Sequence, residues 1–274
     1  MDRRPVATLA LASVAGLGNV AVVLALYARA DYPTLESPVG VAPLVVTGFV
    51  VGFVPLLVSA HTRLLSPAGG FAAVLTGTVY LELTSPSPEW SELGGYVVVD
   101  GPTHVGSYAN TWYVWLALLL LAGAVEFAIR RGYGIGNRRL RNLPDLPIPR
   151  PVLAWTVAGF AALVGVATTL LVIRSGIEPS PVALVVFAVT SGVVAVPLAA
   201  LLARGLLLPI VLFAALVPYF LAVEVFVTTD SPVHILLFGP YAVVIAAAWL
   251  LEEAVRSRLW GWDGGRFARR EGGE

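Results

Sequence analysis

Long apolar stretches separated by short polar segments constrain this chain more than any other feature of its sequence. Each stretch is about long enough to cross the roughly 30 Å hydrocarbon core of a bilayer as a helix that rises about 1.5 Å per residue. The chain is 58% hydrophobic and 12% charged, whereas an ordinary soluble domain is about 25% charged. We predict an all-α, polytopic membrane protein with about eight transmembrane helices, at Pro5–Ala28, Val39–Ala60, Ala68–Thr84, Thr111–Ile129, Val152–Ile173, Pro181–Ala203, Leu206–Val227 and Val233–Leu251.

The arginines predict the orientation of these helices. Positive residues concentrate on the cytoplasmic side of membrane proteins. If all eight segments cross and both termini are cytoplasmic, only Arg29 and Arg174 of the 17 basic residues face outward. The third segment, Ala68–Thr84, is the weakest because it is short and contains Glu82; removing it from the membrane spoils this agreement. We therefore expect a multi-pass protein of the cell membrane with both termini in the cytoplasm.

An internal duplication relates the two halves of the chain. Ser-Pro-Val, Phe-Ala-Ala and a Glu recur in the second half at offsets of about 142 residues, and an Asp-x-Pro-x-His motif follows the Glu in both copies. The first half carries about a dozen extra residues, which we assign to a loop around Ser87–Val99. We predict two tandem, parallel four-helix repeats, with a first repeat at 1–130, a basic linker at 131–150, a second repeat at 151–258 and a cytoplasmic tail at 259–274.

Small residues one turn apart in the second helix of each repeat predict close helix packing. They are Gly48 and Gly52 in the first copy, and Ser191 and Ala195 in the second. Small side chains let transmembrane helices approach closely where no hydrophobic effect drives their association.

The composition excludes several chemistries. The chain has no Cys, so it forms no disulfide and has no thiolate nucleophile or ligand. All of its basic residues are Arg, which excludes a lysine Schiff base. Its formal net charge is zero, which favours no nucleic-acid partner. No nucleotide-binding or His-Glu-x-x-His motif is present, and we predict no cofactor.

The Asp-x-Pro-x-His motifs lie at the predicted outer ends of the fourth and eighth helices. They comprise Asp100 with His104, and Asp230 with His234. Asp is a favoured N-cap and Pro fits a first helical turn, so helix capping explains most of each motif. The His four residues after the Asp would lie above it on the same helix face, where it would accept or donate a hydrogen bond.

Glu82 and Glu224 add one carboxylate each, near the outer end of the preceding helix. An ionisable side chain within a transmembrane segment is a functional-site hypothesis by default. Together with the two Asp and two His, these Glu would relay protons or bind a cation. Alternatively, His nitrogens and carboxylate oxygens would ligate a divalent metal.

Charged residues on the predicted cytoplasmic side favour structural roles and lipid contacts. Glu126 and Arg130, like Glu252 and Arg256, have the spacing of a helical ion pair. The Gly- and Pro-containing linker should be mobile or extended, and the tail after Leu259 should be an interfacial anchor followed by disorder. We expect the lipid bilayer as the main partner, with anionic headgroups bound by linker arginines, namely Arg130, Arg131, Arg138, Arg139 and Arg141.

Three functional hypotheses follow. The leading one is a small transporter or permease-like protein with an outer-facing site between the repeats, because paired ionisable groups lie in apolar helices. The alternative is a non-catalytic membrane scaffold, sensor or assembly protein, in which the polar pairs are only helix caps and ion pairs. The third is a membrane-embedded, metal-dependent enzyme, which would require His104 and His234 in one coordination sphere.

Overall fold

A computed structural model describes residues 3–176, 180–223 and 232–267. These ranges are mostly helical, as expected of an all-α protein, with one short β-hairpin. The chain divides into two compact units, Met1–Leu120 and Leu121–Glu274. The division falls within a helix, Trp112–Tyr133, and each unit is described by itself below.

The elements of the first unit are, in chain order, α1 (Arg3–Arg29), α2 (Pro38–Thr62), α3 (Ser66–Thr84), β1 (Glu89–Leu93), β2 (Tyr96–Asp100), α4 (His104–Asn110) and the start of α5 (Trp112–Tyr133). The second unit begins within α5 and continues with α6 (Arg150–Arg174), α7 (Ser180–Arg204), α8 (Leu208–Pro218) and α9 (Phe238–Trp260). A π-helical turn, Tyr219–Val223, follows α8 directly at Pro218. Proline lacks an amide proton, so a local change of helix type at this position is expected.

Six helices in the described ranges are long and apolar enough to cross a membrane. They are Val6–Arg29, Pro38–Thr62, Trp112–Tyr133, Arg150–Arg174, Pro181–Arg204 and His234–Leu259. Helix α3 has 19 residues but is less apolar, and Leu208–Leu221 is apolar but shorter. The chain is therefore a multi-pass membrane protein, while eight spans and the tandem repeat remain predictions.

The spanning helices expose large apolar side chains over much of their surface. On α1, Val14 is 67% and Leu17 62% exposed, and Trp155 on α6 is 79% exposed. Apolar side chains on the outside of a helix bundle are stable in contact with lipid, whereas water would make such a surface prone to association.

Glycines bring α1 and α2 into close contact. The α-carbon of Gly52 faces the backbone of α1, and an alanine Cβ at this position would lie 2.6 Å from the carbonyl oxygen of Ala15 and 2.9 Å from the α-carbon of Gly16. In the second unit, Gly165 of α6 faces the side chain of Ser191 of α7, and Ser191 Oγ donates to the carbonyl of Ala161 (3.2 Å). The predicted packing role of Gly52 and Ser191 is confirmed.

The segment predicted as a loop around Ser87–Val99 is instead an antiparallel hairpin. Strands β1 and β2 pair from Glu89 opposite Asp100 to Leu93 opposite Tyr96. Gly94 and Gly95 both have positive φ angles, of 61° and 83°, as a two-residue turn matching the twist of the strands requires. The Gly-Gly pair between β-branched and aromatic residues was the sequence signal for this hairpin.

Specific contacts hold the linker and the start of the tail. Arg131 donates to the carbonyls of Leu143 (3.0 Å) and Pro144 (3.2 Å) and so closes the linker into a loop. In the tail, Phe267 is 4% exposed and packs beside Gly132 and Gly205. The linker is therefore closed by polar contacts rather than extended, and the tail packs within the unit as far as Phe267.

Candidate functional site

The first unit contains several polar side chains that are shielded from its surroundings. Asn19 is 1%, Tyr27 3%, Tyr32 5% and Glu82 9% exposed. Buried polar groups cost free energy unless they are hydrogen-bonded, and an unpaired charge costs the most. The partners of these side chains therefore decide what this cluster can do.

Asn19 connects three helices. Its Nδ2 donates to the carbonyl of Gly48 on α2 (2.7 Å), and its Oδ1 accepts from the hydroxyl of Tyr108 on α4 (3.0 Å). Burial raises the pKa of Tyr108, partly offset by the bond to Asn19, so this phenol keeps its proton as a donor. The side chain of Asn19 thus holds α1, α2 and α4 together through paired, buried hydrogen bonds.

Glu82 lies near the C-terminal end of α3 and points into the same unit. Its Oε2 accepts from the amide of Val105 (2.8 Å), the second residue of α4. This amide is the one hydrogen-bond partner of the Glu82 carboxyl group within the described residues. A carboxylate has about four acceptor positions, so Glu82 retains capacity for a proton or a cation.

Two tyrosines border Glu82. The rings of Tyr27 and Tyr32 lie 4.2 Å apart between centroids. Burial, followed by the nearby Glu82 carboxylate, raises the pKa of Tyr32 well above its ordinary value. The Tyr32 hydroxyl lies beside the amide of Gly106 and the side chain of Thr103, without a well-formed hydrogen bond to either. Tyr32 is therefore a neutral phenol within electrostatic range of the Glu82 carboxylate.

His104 begins α4, beside the end of α3. Its Nε2 lies 3.1 Å from Ser85 Oγ, and the ring is half-buried. Glu82 of α3 contacts Val105, and Ser85, the C-cap residue of α3, contacts His104, so the predicted pair Glu82 and His104 comes together at one junction.

Asp100 does not belong to this junction. It is exposed at the end of β2, and the N-cap of α4 is Thr103. The expectation that Asp100 caps the helix and lies below His104 on one helical face is wrong, since the helix starts only at His104. Glu82, which is distant in sequence, binds an amide of the first turn instead.

The β-hairpin contacts the unit through Trp90. Trp90 Nε1 donates to the carbonyl of Ala30 (2.9 Å), and its ring packs edge-on against Tyr32 at 4.9 Å between centroids. Trp90 is half-buried, whereas every other residue of β1 and β2 is exposed. The hairpin is thus attached to the unit at Trp90, directly beside the phenol that borders Glu82.

The corresponding predicted residues of the second unit are only partly described. His234 precedes α9, and its Nε2 lies 3.0 Å from the carbonyl of Phe220, with the two rings 5.4 Å apart. Glu224 and Asp230 lie outside the described residues. Among the residues that are described, no three His, Asp or Glu side chains cluster in a way that could hold a metal ion.

The predicted lipid-binding arginines fall into two groups. Arg130 and Arg131 are engaged within the unit: Arg130 binds Glu126 (2.7 Å) and the carbonyl of Gly136 (3.1 Å), and Arg131 binds Asn137 (2.7 Å). The other three are exposed around the buried Leu140, namely Arg138, Arg139 and Arg141. Of these five arginines, only the second group is exposed.

The two predicted helical ion pairs are confirmed. Glu126 lies 2.7 Å from Arg130, and Glu252 lies 2.6 Å from Arg256. Glu252 also accepts from the amides of Leu207 (3.1 Å) and Leu208 (2.7 Å), where α8 begins. This second role was not predicted, because it joins residues about 45 positions apart in sequence.

Sequence reasoning missed the polar groups that connect the helices of the first unit. Asn19 is the one Asn, Asp, Glu or Arg between Pro5 and Ala28, and such a residue is a usable signal for an interhelical hydrogen bond. Tyr108 and Tyr32 carried no comparable signal, because tyrosines are common at membrane interfaces.

Comparison with known proteins identifies no relative of this chain. No protein-family model matches the chain, and no curated protein or solved structure matches it either.

Proposed function

We propose that this chain is a membrane transport protein in which Glu82 binds and releases a proton or a small cation. The supporting observation is a buried carboxyl group with a single amide donor, within electrostatic range of the neutral phenol of Tyr32. A group of this kind in an apolar environment is costly and is most often retained for a function. In this proposal His104 and His234, with Glu224, Asp100 and Asp230, are further proton- or cation-binding groups.

The experiment is potential-driven proton uptake by proteoliposomes that contain a pH-sensitive dye. Glu82→Gln should reduce uptake at least about tenfold, because Gln keeps an acceptor for the Val105 amide but cannot exchange a proton. Glu36→Gln is the matched control, since Glu36 is exposed near the same end of α1 and α2. Uptake that is equal in the wild type and Glu82→Gln contradicts the proposal.

A scaffold or assembly role is the second candidate, and one observation favours it. Glu82 accepts the Val105 amide and so also acts as a cap for α4. If this cap is the whole role of Glu82, Glu82→Gln retains stability and its uptake does not differ from that of the wild type, whereas Glu82→Ala loses roughly 1–2 kcal/mol of stability, as expected for a lost cap. The two variants therefore separate the two functions.

Our proposal includes eight crossings, with α3 and the α8 segment inside the membrane. If only the six longer helices crossed, with the N-terminus inside, eight of the 17 arginines would face outward, against two for eight crossings. The positive-inside tendency supports the second arrangement, with both termini cytoplasmic.

The absence of native Cys makes this topology directly testable. With eight crossings, a cysteine at Ser91 in the hairpin reacts with an impermeant maleimide from outside the cell, and one at Asn142 in the linker does not. With six crossings the two results are exchanged, so a reversed labelling pattern refutes the proposed topology.

We also propose that Arg138, Arg139 and Arg141 contact anionic lipid headgroups. Their exposure, with Leu140 anchored between them, supports this. Each such contact contributes about 1 kcal/mol near an anionic surface. Replacing all three with Gln should release a fluorescent peptide of residues 131–150 from anionic vesicles, and unchanged vesicle binding contradicts the assignment.

A further inference from the structure

The second unit contains a cavity of about 670 Å³ between the end of the linker, the end of α7 and the tail. This volume is within the range of about 300–1,000 Å³ that is typical of small-ligand sites. Its walls include Pro149, Arg150, Leu153, Leu202, Arg204 and Phe267. None of these residues belongs to the polar cluster around Glu82.

The walls of the cavity combine two guanidinium groups with apolar surface. Arg150 and Arg204 supply the positive charge, and Asp263 supplies one carboxylate. The Asp263 side chain is partly engaged, since its Oδ1 accepts from the amide of Gly265 (2.9 Å). Arg204 lies 3.6 Å from Glu253 at a half-exposed position. Leu153, Leu202 and Phe267 form the apolar part.

The first turn of α6 adds to the positive potential of the cavity. Helix α6 begins at Arg150 and carries no acidic residue in its first turn. The N-terminal end of a helix bears a partial positive charge, which adds to the charge of the two guanidinium groups.

We infer that this cavity is a binding site for a phosphate ester with an apolar substituent. The phosphate lies between the guanidinium groups of Arg150 and Arg204, at the start of α6, and the apolar part contacts Leu153 and Phe267. Arginine binds phosphate oxygens through paired, charge-assisted hydrogen bonds. A phospholipid headgroup and a soluble phosphorylated molecule share this chemistry.

The test is calorimetric titration of the full-length, detergent-purified chain with dioctanoyl phosphatidylglycerol, using dioctanoyl phosphatidylcholine as the zwitterionic control. The phosphatidylglycerol should bind at least about tenfold more tightly. Competition by inorganic phosphate identifies a soluble phosphorylated molecule as the natural ligand, and absence of competition identifies a lipid headgroup. Equal binding of the two lipids overturns the inference.

Three variants separate the cavity from general surface charge. Arg204→Gln should weaken binding about tenfold, the loss expected for one charge-assisted contact. Ala203→Phe, which fills the cavity without changing any charge, should weaken binding to a similar extent. Arg258→Gln removes an exposed charge on α9 and should leave binding unchanged. If Arg258→Gln weakens binding as much as Arg204→Gln, or Ala203→Phe has no effect in a protein that elutes like the wild type, the site is not this cavity.

Discussion

Substitution of Gly52 by alanine tests the contact that builds the first unit. The new Cβ would lie 2.6 Å from the carbonyl oxygen of Ala15 and 2.9 Å from both Gly16 Cα and Asn19 Cβ. Carbon atoms in favourable contact are about 3.5–4.0 Å apart, so α1 and α2 must separate by roughly 0.5–1 Å. Two of the three obstructing atoms belong to the backbone of α1, which cannot move aside as a side-chain rotamer can.

The expected free-energy change follows from three contributions. Overpacking costs about 1–3 kcal/mol, and stretching the 2.7 Å bond from Asn19 to the Gly48 carbonyl adds part of the roughly 0.6 kcal/mol of an average interhelical hydrogen bond. The higher helix propensity of Ala offsets at most about 1 kcal/mol of this destabilisation. Gly52→Ala should therefore reduce the free energy of unfolding by about 1–2 kcal/mol.

Gly18→Ala is the matched control. It is the same substitution within α1, but no atom outside its own helix turn lies within 4 Å of the new Cβ. It should leave stability unchanged or raise it by at most about 1 kcal/mol. Unfolding in mixed detergent micelles, followed by circular dichroism, measures both variants; stabilities that agree within about 0.5 kcal/mol would show that α1 and α2 do not pack as described.

Three further perturbations have defined outcomes. Tyr108→Phe leaves Asn19 Oδ1 without its donor and should cost about 1–2 kcal/mol in the same assay; an unchanged stability contradicts the buried bond. Glu252→Gln removes an ion pair and weakens the contacts to the α8 amides, so α8 amides should exchange with deuterium faster, and an unaltered exchange rate argues against this cap. Gly132→Ala places a methyl group into the ring of Phe267, so trypsin should cut the tail faster than in the wild type; equal cleavage means that the tail is not packed there.

The sequence predicts more of the fold than of the candidate site. The apolar segments predicted six of the spanning helices, because each must satisfy its own backbone hydrogen bonds in lipid. The same reasoning suggested Glu82 and His104 as a pair, and their helices do meet. The prediction for Asp100 is wrong because it assumes that Asp100 and His104 belong to one helix. The chain instead turns at Gly101, where φ is +105°.

The predictions of a loop at the hairpin and of an extended linker are wrong for a related reason. The extra residues around Ser87–Val99 are predicted as a loop, although Gly94 and Gly95 specify a tight turn between two strands. The Gly and Pro residues of the linker suggested an extended chain, but Arg131 closes it through carbonyls of residues 143 and 144. Composition reports which conformations a segment can adopt, and the partners it meets select one of them.

The sequence by itself determined that this protein is helical and embedded in a membrane, because apolar length and charge placement are properties of each segment alone. Only the tertiary structure decided which polar groups meet. Asn19, Gly48 and Tyr108 are joined by two hydrogen bonds across separate helices, and Glu82 reaches an amide 23 residues away. The physical reason is that adjacent side chains on a helix point in directions about 100° apart, so the rotation and separation of packed helices select the pairs.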